Sequence, residues 1–171
     1  MKKKTTRAIG LTLSATLFLT ACWAVSQAWS QSSARSSGPT EPTEFTYPQL
    51  YVGPDKETHF RDVKVQLTLQ PSVAPAPPYW QSTLQPATGT QLIVFPPRWG
   101  VDDREHKLFH NARAKRFIAF RRGVGWIQAS DGEKREFHAG DIVEVLDVAP
   151  ARGHISWTGD EGVEALFTDH P

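Results

Sequence analysis

The chain has 171 residues, 39% hydrophobic and 22% charged, with 19 Lys and Arg against 18 Asp and Glu for a formal net charge of +1. That balance excludes the basic excess that binds a phosphate backbone through counterion release, so nucleic acid is not an expected partner. A single Cys excludes an intramolecular disulfide and any Cys-rich zinc site, and the length suits one domain with a sizeable core.

Taken in chain order, the charge is uneven. Lys2, Lys3, Lys4 and Arg7 precede the first acidic residue, Glu41, so residues 1–21 carry +4 and the remainder −3. The apolar run over 8–21 is short and rich in Ala, Thr and Ser, which suits a secretory signal better than a transmembrane helix. At its end, Leu19-Thr20-Ala21-Cys22 resembles the bacterial lipoprotein box. The resemblance implies acylation of Cys22 and attachment to the membrane through lipid, on the periplasmic side of the cell envelope. Cleavage after Ala28, an uncleaved anchor over 8–25 and a soluble exported form remain open, and each puts the domain outside the cytoplasm.

Residues 22–44 follow as a tether. Six Ser and two Pro with few aliphatic side chains cannot offset the entropy of ordering. Some twenty such residues have a root-mean-square reach of roughly 25 Å.

Over 45–171 the pattern is that of an all-β domain. Val63, Val65, Leu67 and Leu69 alternate with Lys64, Gln66 and Thr68, the period of a half-buried strand. Similar short runs occupy 91–95, 116–121, 126–129, 135–137, 142–146, 155–157 and 163–168, each bounded by Gly, Asp or Pro. Asp131-Gly132 predicts a tight hairpin between 126–129 and 135–137, while Gly123-Val124-Gly125 reads as a turn between strands. Pro71, Pro75, Pro77, Pro78 and Pro86 make 71–89 an irregular excursion, with Trp80 either a lid or packed on the outside.

The C-terminal 65 residues resemble a small single-domain cupin, a jelly-roll β-barrel. His110, Ala112, Arg116 and Gly123 occupy the spacing of the first cupin motif, which has His, His, Glu and Gly. Gly140-Asp141 matches the turn into the next strand, and Gly153-His154 falls on the last metal-binding His of the second motif. Tyr51-Val52-Gly53 with Thr58-His59-Phe60 is similar to the N-terminal strand of short cupins. The family's metal is held by three His and one Glu, and two of the four are changed here. Alanine has no lone pair, and a guanidinium 4 Å from a dication opposes it by roughly 4 kcal/mol even at an effective dielectric of 20.

The resemblance therefore implies a metal-free binding or sensing module with His110, Arg116 and His154 as ligand-binding candidates and no cofactor. The alternative is a metal-dependent enzyme of the dioxygenase or isomerase type with a reduced set, His110 and His154, joined by His106 if 102–116 forms a helix that puts His106 and His110 on one face. A homodimer and a purely structural role also stay open. If Arg116 points inward, its charge needs an anion. Glu144 or another strand carboxylate would supply it from within the chain, and otherwise the ligand would be a small acid. His59 and His138 read as structural, His170 as a disordered terminus and Arg121-Arg122 as a solvated edge. No Gly-x-Ser-x-Gly elbow or phosphate loop occurs.

Overall fold

The computed structural model describes residues 44–171; the expected signal, Cys22 and nearly all of the tether lie outside the described residues. The domain is all-β. Among the described residues nine strands, β1 (Glu44–Val52), β2 (Thr58–Gln66), β3 (Thr68–Gln70), β4 (Tyr79–Gln81), β5 (Gly89–Phe95), β6 (Arg116–Ala129), β7 (Lys134–Phe137), β8 (Ile142–Val145) and β9 (His154–Asp169), accompany one six-residue helix, α1 (Val101–His106). Among the described residues no helix is long and apolar enough to cross a membrane.

Seven strands form one sheet in the order β2-β1-β8-β6-β9-β5, with β7 also paired to β6. All pairings are antiparallel except β1 with β8. Alternation sets the faces. Leu50, Phe60, Ile118, Phe120, Val143, Val145, Val163, Ala165 and Phe167 turn to the inside and join Ile127, Ala129 and Phe137 in one core cluster. The Asp131-Gly132 hairpin forms as expected between β6 and β7, with Gly132 at φ 101° and its N–H donating to the Ala129 carbonyl at 3.0 Å.

The sheet departs from the expected closed barrel. Among the described residues β2 and β5 remain its edges, and β3 pairs only with β4 in a separate two-stranded sheet. The reason lies in 71–89: prolines without an N–H cannot supply a strand long enough to bridge those edges. At β2, side chains approach from β7 instead, where Arg135 bonds Asp62 and lies over the Phe60 ring.

Strand lengths differ too. The runs 116–121 and 126–129 are halves of one strand, β6, and 155–157 and 163–168 are halves of β9. The register between them shifts at Phe120/Arg122 and again at Gly123/Gly125, so Gly123-Val124-Gly125 is a bulged stretch inside a strand instead of a turn. These irregularities bend the two longest strands into a cup.

Candidate ligand-binding site

Inside the cup lies a cavity of about 650 Å³ lined by β5, β6, β9 and the loop before β6. Its wall is more apolar than polar, with Ile93, Phe95, Ile118, Phe120, Phe167 and Trp99 beside Gln91, Arg113, Ser156 and Thr158. The three residues singled out from the sequence, His110, Arg116 and His154, all line it as well, and Ala112 lies between the first two.

His154 opens β9, and its placement starts with Gly153. That residue sits at φ 91°, and a Cβ there would come within 2.3 Å of the His110 carbonyl oxygen, so only glycine lets the two chain segments meet. The contact is a reciprocal antiparallel bridge: His110 N–H donates to His154 O, and His154 N–H to His110 O, each at 2.9 Å. His110 is therefore held by an isolated bridge and not by a full strand. The two imidazole rings end 4.6 Å apart.

Behind them is a residue that sequence reading missed. Asp147, fully buried, places Oδ2 2.6 Å from His154 Nδ1. A carboxylate accepts, so Nδ1 donates and Nε2 is the ring nitrogen left to a ligand. The loop carrying Asp147 is clasped from several sides. Asn111 Nδ2 donates to the Asp147 and Ala151 carbonyls, both at 3.0 Å, and Thr58 Oγ1 donates to Gly153 O at 2.7 Å. Burial, and after it the neighbouring His154, holds the His110 pKa below its ordinary 6.5. His110 is thus a neutral imidazole near pH 7.

Arg116 does point inward, at the far end of β6. Its compensating charge comes from within the chain, but from Asp169 and not Glu144. Nε lies 3.1 Å from Asp169 Oδ1 across the β6–β9 pairing, and the guanidinium rests 5.2 Å from the Phe167 ring centroid. Glu144 is buried on the outer side of the sheet, occupied by Tyr47, Gln49 and His170. An anionic ligand is thus not required to balance Arg116.

The remaining candidates separate from the site. α1 ends at His106, with Lys107 in the left-handed conformation, so His106 and His110 do not share a helical face. His106 is exposed, its Nδ1 2.8 Å from the Asp102 carbonyl. Among the described residues no group of three or more His, Cys, Asp or Glu is arranged to hold a metal ion. With Ala112 at one ligand position, a paired Arg116 at another and His106 elsewhere, the residues do not fit the four-ligand metal site of a cupin. His59 lies between Asp131 Oδ2 at 2.7 Å and Asp55 at 3.1 Å, joining the β1–β2 and β6–β7 turns. His138 pairs with Glu136 on the surface. Arg121 and Arg122 are exposed and reach Glu164. His170, expected to be disordered, packs in place.

No family model matches the chain, and searches of curated proteins and of solved structures return no match.

Proposed function

We propose that this chain is a cupin-like binding or sensing module of the bacterial cell envelope, exported by residues 1–21 and tied to the membrane through Cys22, whose open cup holds a small ligand. The observation that carries the reading is that His110, Arg116 and His154 line one cavity whose wall is more apolar than polar, with Arg113 and Asp169 also at its surface. A concave apolar pocket with a few convergent polar groups is the ordinary form of a small-molecule site. Its volume suits a ligand of one or two rings. His154 Nε2 and the neutral His110 offer hydrogen bonds to a hydroxyl, carbonyl or amide, while Phe95, Phe120 and Phe167 take the ligand's apolar body.

An acidic group on that ligand is the second reading. It is favoured by Arg116, whose contact with Asp169 is an ion pair without a hydrogen bond from Nε, so its donors are not saturated. A thermal-shift panel of matched aromatic acids and amides distinguishes the two. Amides that stabilise as well as acids, with the effect lost in His154→Gln, support the neutral reading. Acids alone, with the effect lost in Arg116→Met, support the anionic one. If neither series shifts the melting curve at millimolar concentration, or if Ala112→Phe, which fills the cavity, leaves a shift intact, the cavity is not the binding site.

A further inference from the structure

We infer that the free edge of β5 pairs with β5 of a second copy of this chain, making an antiparallel, two-fold dimer. Among the described residues β5 ends the sheet, and its seven residues, Gly-Thr-Gln-Leu-Ile-Val-Phe, contain no charge and no proline. Edge strands left in water are normally blunted by a charge, a proline or a bulge. On its outer face Leu92 is 78% and Val94 73% exposed, and Leu166, opposite Leu92 on β9, adds a partly exposed neighbour. Glu164, opposite Val94, is paired with Arg121 and Arg122 and gives the patch a polar rim.

Charge selects the partner. The other edge, β2, carries exposed Arg61, Asp62 and Lys64, so β5 docked on a neighbour's β2 would set charges against Leu92 and Val94. Two β5 strands about a two-fold axis at Leu92 place Leu92 on Leu92 and Val94 beside Thr90, with no charge in either strand. Such a contact is self-complementary and closes, where β5 on β2 would propagate a filament. Ile93 and Phe95 of the same strand face the cavity. Pairing therefore continues the cavity wall across the axis while leaving the cavity itself to each copy.

The purified full chain should show twice the chain mass by sedimentation equilibrium at 100 micromolar, with β5 amides exchanging more slowly as concentration rises. Leu92→Lys with Val94→Lys should give one chain mass, with circular dichroism and melting temperature of a folded domain. If that variant fails to fold, Leu92→Cys in a Cys22→Ser background supplies the test, and mild oxidation should join two chains through Cys at 92. A wild type of one chain mass overturns the inference. In that case protected β5 amides would indicate cover by the chain's own residues 1–43, and unprotected ones a bare edge. A dimer that survives the double substitution, or no cross-link at 92, overturns it as well.

Discussion

Two imidazole–carboxylate pairs lie on opposite sides of one sheet, and they differ in what each leaves unused. On the outer side three side chains surround Glu144: Tyr47 Oη donates to Oε2 at 3.2 Å, Gln49 Nε2 donates to the same oxygen, and His170 Nε2 lies 3.1 Å from Oε1 in a charge contact without a hydrogen bond. Gln49 is itself held by Arg61 Nε at 2.6 Å, and Phe117 packs against both the Tyr47 and His170 rings. Burial and the nearby Glu144 charge push the Tyr47 hydroxyl up to about 12. On the inner side Asp147 holds only one nitrogen of His154, and the ring lines a cavity. The first cluster ties the C-terminus to β1 and β8, whereas the second presents an oriented imidazole with a nitrogen to spare. A carboxylate behind an imidazole fixes its tautomer and orientation, and only the inner imidazole of the two lines the cavity.

The largest expected effect comes from separating His154 from His110. Gly153→Ala puts a Cβ into the His110 carbonyl and a side chain at φ 91°, which should cost about 3 kcal/mol or more and abolish ligand-induced stabilisation. Urea denaturation checks the first and thermal shift the second. A variant as stable as wild type would mean that the bridge does not form.

Next comes a matched pair of carboxylates. Asp147→Asn leaves the buried His154 without its charged acceptor and should cost roughly 2–3 kcal/mol, with ligand binding weakened at least tenfold. Glu144→Gln keeps an acceptor among several donors and should cost about 1–2 kcal/mol with affinity unchanged. Equal effects on affinity would erase the distinction between the clusters.

How much of this was legible depends on range. The alternation at Val63 and Val65, the Asp131-Gly132 hairpin and the strand over 91–95 follow from neighbours in sequence, and each forms, but the run expected to continue through Leu67 and Leu69 breaks at Leu67, and Leu69 sits exposed in β3. Gly123-Val124-Gly125 and Gly159 to Gly162 were not readable as mid-strand irregularities, because glycine flanked by short apolar runs has the same local signature in a bulge and in a turn. Of the candidate site, His110 and His154 were found through motif spacing. Asp147 was not, because nothing around it in sequence announces that Thr58, Asn111 and Gly153 will bury its loop. His170 escaped for the converse reason: a terminal residue carries no periodic signal, and its place is made by Phe117 and Glu144, distant in the chain.

A smaller effect is expected from metal removal. Two imidazoles at the cavity with no third ligand among the described residues gain little folding free energy from a divalent ion, so a chelator should leave the melting temperature within about one degree. Stoichiometric iron, manganese or zinc that raised it by several degrees, and no longer did so in His110→Asn, would favour the metal-dependent enzyme.

The smallest expected effect, a pH dependence, has opposite signs in two histidines. His59, hydrogen-bonded first to Asp55 and then to Asp131, has its pKa raised above 6.5. The folded state holds its proton more tightly, so its contribution is complete below pH 6.5 and is lost as pH rises through the folded value. His110 has its pKa lowered, chiefly by burial, so the unfolded chain binds the proton more readily. Its contribution is present above pH 6.5 and is lost as pH falls through the folded value. Melting temperatures recorded from pH 5 to 8 should therefore change least in the wild type, where the two oppose each other. His59→Gln should leave a curve that falls toward acid, and His110→Asn one that falls toward base. Because His59 is open to solvent and screened, salt at 0.5 M should flatten the His110→Asn curve more than the His59→Gln curve. If both variants tilt the same way, the turn staple and the cavity imidazole do not experience the different surroundings described for them.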